Sequence, residues 1–242
     1  MLQSMRIQKA FQPVLEEVIN AFSRSFAEDL HSIYVYGSVA QGIAIIGQSD
    51  LDLCVVFKNK PKNLNEKIAE ISANLRVLHP FIPKVDVDIG FLDEVLNEHS
   101  LQSWGAWIKF FCQHIYGEDL SALFNDVQID RDVIKAINSG YDADIQGYLR
   151  ILEASDQTAK ELISLKKSLI KRIIRLLPLT LDNIEGWPCN LNDTVAQAID
   201  VYPEQKAAFQ YLLKELDHPN VASKTSLQEI KNVYLWVDAH II

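Results

Sequence analysis

The sequence predicts an α+β protein: a mixed β-sheet with flanking helices over residues 1–99, followed by an all-α helical domain over residues 100–242. Three observations carry this reading. Runs rich in strand formers, Ile33–Tyr36, Leu51–Phe57 and Val85–Phe91, all fall within the first hundred residues. Segments with helical three-and-four spacing precede the first run and separate the last two. After about residue 100 the strand signal disappears, and the change of composition at Asn97–Ser100 marks the expected domain boundary.

Residues 5–30 place Ile7, Phe11, Val14, Leu15, Val18, Ile19, Phe22, Phe26 and Leu30 at helical spacing, with Glu16, Glu17 and Arg24 between them. This predicts an amphipathic helix packed on a sheet. Ile33-Tyr34-Val35-Tyr36 then reads as a strand that stops at Gly37, and Leu51–Phe57 as a second, largely buried strand beyond a glycine turn. Asn59, Pro61 and Asn63 break the pattern. Asn63, with Glu66 three residues on, predicts a capped helix whose stripe is Leu64, Ile68, Ile71, Leu75 and Leu78, ended by Pro80 and Pro83. Val85–Phe91 alternates strictly, which sets Val85, Val87 and Ile89 on one face and Asp86 and Asp88 on the other.

In the second part, Leu101, Trp104, Ile108, Phe111, Cys112 and Ile115 form one stripe, and Gly117 is placed to end that helix. Further helices are predicted around 130–152, 156–177, 192–202, 203–217 (Pro203 in the first turn) and 226–241. The helix at 156–177 carries Leu162, Leu165, Leu169, Ile173 and Leu176 on one side, and Lys160, Lys167, Lys171 and Arg175 along another line. That basic line is either a solvated face or a contact for phosphate. Residues 117–156 hold nine acids, among them Asp142, Asp144 and Asp156, against three bases. They form either plain surface or an attraction for a cationic acceptor.

With 242 residues and 48% hydrophobic content, the chain can bury a real core. The net charge of −9 comes without any basic arm or tail. A protein that grips a long polyanion needs a lysine and arginine footprint, so long nucleic acid is disfavoured and small or cationic partners fit better. Cys54, Cys112 and Cys189 are far apart and lack metal-ligand spacing, which disfavours both a disulfide framework and a zinc site. No apolar run approaches the roughly 20 residues needed to span a bilayer, and the N-terminus lacks a signal-type apolar core. A soluble, cytoplasmic protein is expected.

The chemistry-bearing stretch is Tyr36-Gly37-Ser38-Val39-Ala40-Gln41-Gly42, followed by Ser49-Asp50-Leu51-Asp52-Leu53 at the start of the second strand. Residues i and i+2 of a strand share a face, so Asp50 and Asp52 point the same way. Two neighbouring carboxylates repel, and a divalent cation is the common relief. Asp86 or Asp88 on the third strand can join them, although an alternating strand with a solvated acidic face is the plainer reading of Val85–Phe91 taken alone. If the acids converge, the bare backbone at Gly37 and the Ser38 hydroxyl can hold phosphate oxygens, Asp50 and Asp52 can ligate magnesium, and Asp86 can ionise an incoming hydroxyl. That set of roles fits nucleotidyl transfer. A Walker loop is excluded because no lysine lies between Tyr34 and Phe57, and GxSxG, HExxH and GxGxxG motifs are absent.

Gly37-Ser38, then Gly42, then Ser49-Asp50-Leu51-Asp52-Leu53 and a later Val85-Asp86-Val87 resemble the polymerase-beta-like nucleotidyltransferase superfamily over roughly residues 30–95. The resemblance implies Asp50, Asp52 and Asp86 as catalytic and metal-binding acids, with Gly37, Ser38 and Ser49 on the nucleotide. It also implies Mg2+ and a nucleoside triphosphate donor, ATP first among them. The layout, with Lys171-Arg172-Ile173-Ile174-Arg175 and Tyr202-Pro203 in the helical half, is similar to streptomycin/spectinomycin-type aminoglycoside adenylyltransferases. This implies Lys171 and Arg175 as nucleotide contacts and a small, aminoglycoside-like hydroxyl acceptor. The alternative is an antitoxin-like or regulatory partner protein that modifies or sequesters another protein. Gln41 stands where many relatives have arginine, and the gap from Ser38 to Asp50 is one residue longer than usual.

Overall fold

β-Branched and aromatic residues set three strands where the sequence pattern locates them, and the computed structural model gives each seven residues: β1 Leu30–Tyr36, β2 Leu51–Phe57 and β3 Val85–Phe91. A fourth, β4, spans Gln113–Gly117. The structure describes residues 7–154, 157–182, 190–221 and 223–242; Asp156, Cys189 and the first two residues of the helix expected at 5–30 lie outside them.

The sheet runs β3-β2-β1-β4. β2 and β3 are parallel, whereas β1 is antiparallel to both β2 and β4. Parallel neighbours need a crossover, and the helix between β2 and β3 supplies it. The helices of this part are α1 Gln12–Phe26, α2 Gly37–Ala40, α3 Leu64–Leu78, α4 Leu92–Val95 and α5 Ala106–Phe111, the last entered through a π-helical turn at Leu101–Gly105. One face of the sheet (Ile33, Val35, Leu53, Val55) packs with Val14, Val18 and Phe22 of α1 and Ile71 and Leu75 of α3. The other face (Tyr34, Cys54, Val56) packs with Val95, Ile108, Leu120 and Phe124. Full burial of each such side chain stabilises the fold by roughly 1.5–3 kcal/mol.

Several expectations are revised. The chain divides into two compact units, Met1–Gln128 and Ile129–Ile242. The composition change at Asn97–Ser100 therefore lies inside the first unit, because α5 and the residues after it cover the second face of the sheet and β4 completes its edge. The expected helix through Ile115 ends at Phe111. Gly117 does not cap it but closes β4 with φ +82°, and a Cβ there would stand 2.0 Å from the His31 carbonyl oxygen. The helix expected over 5–30 stops at Phe26, since Leu30 already belongs to β1. Asn63 does precede α3, but in a left-handed conformation (φ 54°) and without accepting a side-chain capping bond. Asparagine tolerates that conformation better than most residues.

The second unit holds α6 Arg131–Ile137, α7 Tyr141–Ala154, α8 Ala159–Leu176, α9 Leu191–Val201, α10 Lys206–Asp217 and α11 Lys224–His240. The single helix expected over 130–152 is two, broken at Gly140, whose φ is +74°. α8 starts with a capping box, Thr158 with Glu161, and buries Leu169, Ile170, Ile173 and Ile174 in the core of this unit. Lys166, the first buried residue of that helix, ion-pairs with Glu215 of α10 and donates to Asn220 Oδ1 at 2.8 Å. Among the described residues, no helix is long and apolar enough to cross a membrane.

Candidate active site

The acidic face is assembled by strand register. Tyr36 of β1 is paired with Asp52 of β2, and Asp52 with Asp86 of β3, so three polar side chains form one row across the sheet. The next row of the β2–β3 pair joins Cys54 to Asp88. This is the face that Val95, Ile108, Leu120 and Phe124 cover farther along the strands. At the row of Asp52 and Asp86 the side chains are only half-buried, and Asp50 stands half-buried just before β2. The two candidates for the third acid thus differ: Asp86 lies beside Asp52, while Asp88 accepts a short hydrogen bond from the Tyr36 hydroxyl. Burial, reinforced by that bond and by the charges of Asp88, Asp52 and Asp86, pushes the Tyr36 phenol far above its ordinary range, so it stays a donor.

The turn after β1 approaches this row closely. Gly37 adopts φ +68°, and a Cβ on it would lie 2.2 Å from Asp52 Oδ2. Only glycine combines that conformation with that approach. The turn is closed by Gln41 N–H donating to the Gly37 carbonyl at 3.1 Å and Ile43 N–H donating to the Ser38 carbonyl at 3.1 Å. Ser38 is half-buried beside it. Ser49, expected on the nucleotide, accepts from Ile45 N–H at 2.9 Å and so closes the loop leading to Asp50. Gly47 N–H fastens that loop to the Phe81 carbonyl at 2.9 Å, leaving Ile43, Ile45 and Ile46 exposed.

Sequence reasoning passed over two features of this site. Lys84 lies one residue before β3, and its Nζ ion-pairs with Asp86 Oδ1 at 2.7 Å. That bond, with further attraction from Asp86, Asp50 and Asp52, raises the pKa of the Lys84 ammonium against a smaller opposing effect of burial. The signal was in the sequence, since Lys84 is two residues from Asp86 and shares its face. The second feature is an aromatic wall: the Tyr36 ring meets Trp107 edge-on at 5.2 Å between centroids, and Trp107 lies 5.3 Å from Trp104. Trp107 comes from the segment read as part of the other domain, and no local pattern linked it to Tyr36.

The donor chemistry fits a divalent ion of magnesium type, which takes carboxylate oxygens and avoids soft ligands. Among the described residues, no group of three or more His, Cys, Asp and Glu side chains is arranged to hold an ion unaided. Magnesium does not require such a cage: it is usually held by one or two carboxylates, with waters and substrate phosphates completing the octahedron. Asp52 and Asp86, adjacent on one face with Asp50 at its edge, form that partial set, and the Lys84 ammonium already sits on it as a cation.

The remaining expected residues lie in the second unit. Lys171 and Arg175 are exposed on α8. Asp142 accepts from the Tyr234 hydroxyl at 2.6 Å, and Asp144 pairs with Arg172 at 2.9 Å.

Residues 15–97 match the nucleotidyltransferase domain family. Over 55 residues, 23% of the chain, the protein is 40% identical to a "putative protein adenylyltransferase" of Methanocaldococcus jannaschii, and the match spans 37% of that relative's length. In fold it is similar to a spectinomycin adenyltransferase from Enterococcus faecialis, solved with ATP and spectinomycin, with a TM-score of 0.60. That similarity covers 93% of this chain and 98% of the other at 16% identity, and is a likeness of architecture.

Proposed function

Residues 15–97 are a nucleotidyltransferase domain, and from that premise we propose that the protein moves AMP from Mg-ATP to a hydroxyl of a small acceptor. The observation that carries the reading is the register that sets Asp52 beside Asp86, with Asp50 at the mouth of β2 and the Gly37 backbone against Asp52.

The roles follow from position. The Gly37–Ser38 backbone and the Ser38 hydroxyl donate to phosphate oxygens and hold the triphosphate against the acidic row. Asp50 and Asp52 would hold the divalent ion, which when bound would offset negative charge on the α-phosphate and the departing pyrophosphate. Asp86 accepts the proton of the acceptor hydroxyl as its oxygen bonds to the α-phosphorus and the bond to pyrophosphate breaks. Tyr36, locked as a donor to Asp88, fixes the back of the row. The Trp107 and Trp104 rings beside Tyr36 offer a flat surface to a nucleobase or a sugar ring.

A cationic, aminoglycoside-like acceptor is supported by the acidic excess of residues 117–154 and by the spectinomycin bound to the architectural relative. A second reading, transfer to a protein hydroxyl by a regulatory or antitoxin-like partner, draws on the name of the archaeal relative and on the exposed isoleucines 43, 45 and 46 beside Asp50. Incubation with ATP labelled at the α-phosphate, Mg2+, and either aminoglycosides or lysate protein separates them. Label on an aminoglycoside supports the first reading and label on a protein band the second. Label on neither, with no pyrophosphate released, contradicts both.

A further inference from the structure

Lys84 occupies an unusual position for a surface lysine. β2 and β3 are in parallel register from Leu51 and Val85 onward, so the residues just ahead of that pair, Asp50 and Lys84, flank the open end of the acidic row. The Leu51 N–H, between Asp50 and Asp52, donates to the Lys84 carbonyl at 2.9 Å and fixes the lysine backbone there. From that anchor the Lys84 side chain reaches along the face it shares with Asp86, to 2.7 Å from Asp86 Oδ1, with Asp52 in register beside Asp86. Its side chain remains 62% exposed, so water and ions reach the ammonium.

We infer that Lys84 is the resident counter-cation of the Asp50, Asp52 and Asp86 row, holding the carboxylates together before a divalent ion arrives and yielding the position when one enters. The inference rests on the reading of these acids as the metal site and adds a property to it. Three carboxylates gathered without a cation repel one another, and the ammonium relieves this repulsion. The same charge opposes a free divalent ion, because one cation must leave as the other binds. An ion that arrives with a triphosphate brings negative charge that offsets this opposition and gives Lys84 a new partner. The site thereby favours the metal–nucleotide complex over the bare ion. Lys84 is a positioning residue, acting on the acids rather than on the reacting atoms.

The test titrates Mn2+ alone into the metal-stripped full-length protein and reads free Mn2+ by electron paramagnetic resonance. Lys84→Met and Lys84→Gln are expected to bind Mn2+ about five- to tenfold tighter than wild type, the effect of removing a unit charge a few ångströms away in a largely solvated site. Lys84→Arg restores wild-type affinity. In EDTA, Lys84→Met melts below wild type, and saturating Mn2+ closes the gap. Unchanged or weaker Mn2+ binding in both neutral variants overturns the inference, as does a melting gap that persists at saturating Mn2+. Asp50→Asn with Asp52→Asn separates the two levels. If this pair abolishes Mn2+ binding while the lysine variants change nothing, only the role of Lys84 fails. If it leaves Mn2+ binding intact, the metal-site reading itself fails.

Discussion

A Cβ placed on Gly37 would stand 2.2 Å from Oδ2 of Asp52, closer than any packed side chain tolerates, so the turn after β1 and the second acid of β2 are built as one unit. The Gly37 φ of +68° adds a conformational penalty of about 1–2 kcal/mol for any other L-residue. Gly37→Ala is therefore expected to displace the Asp52 carboxylate as well as to strain the turn. A shift of about 1 Å in a reacting group can cost on the order of a hundredfold in rate, and kcat for adenylyl transfer should fall by about that factor. The check is steady-state kinetics alongside a melting curve, in which the variant stays folded with a modestly lower Tm.

Asp86 and Asp88 share a face but not their partners. Asp86 lies in register with Asp52, whereas Asp88 is held by the Tyr36 hydroxyl. Asp86→Asn is expected to lower kcat by about 10²–10⁴-fold, the range for loss of a positioned base. Asp88→Asn should cost less than about tenfold, because an amide oxygen still accepts from Tyr36. Comparable kinetics in the two variants would overturn the assignment.

In the second unit, Lys166 is fully buried and pairs with Glu215 across α8 and α10. Lys166→Met leaves the Glu215 carboxylate without its cation and is expected to destabilise this unit by about 3–5 kcal/mol. Adding Glu215→Leu removes the stranded charge and should recover most of that loss. Urea unfolding of the single and double variants measures both steps.

Burial of His31, aided by Lys58 and opposed by Glu118, lowers its pKa below the ordinary value of 6.5. Between the lowered folded value and 6.5 the unfolded chain binds more protons than the folded one, so stability rises with pH across that window. The neutral form's contribution is complete above pH 6.5 and is lost as pH falls through the folded value. Urea midpoints measured from pH 8 down to pH 5 should therefore decline more steeply below pH 6.5 in wild type than in His31→Gln.

Much of the fold was written in local pattern. Leu51–Phe57 and Val85–Phe91 are strands over their whole expected lengths, because continuous apolar character and strict alternation leave few competing readings. β4 was hidden: Gln113-His114-Ile115-Tyr116 has no clean alternation, follows a helix stripe directly, and is held by pairing with β1 at the sheet edge. Gly117 signals a φ above zero, which suits a helix end and a strand end equally, and only the His31 carbonyl beside it decides between them. The candidate site was legible only as a pattern of residue types. Asp50, Asp52 and Asp86 announce themselves by spacing, while the contact of Tyr36 with Asp88 depends on strand order, and Trp107 reaches Tyr36 through tertiary packing. Lys166 sits at a core phase of α8, and its charge hid it from a reading that counts only apolar residues.

The central claim is that Asp50 and Asp52 bind nucleotide through a divalent ion, and calorimetric titration of ATP in the presence and absence of Mg2+ tests it without knowledge of the acceptor. Wild type is expected to bind ATP in a Mg2+-dependent manner. Asp50→Asn with Asp52→Asn should lose about tenfold or more of that affinity, since charge-assisted contacts contribute roughly 1.5–3 kcal/mol each. Mg-ATP affinity unchanged in the double variant, with the protein still folded, would contradict the account.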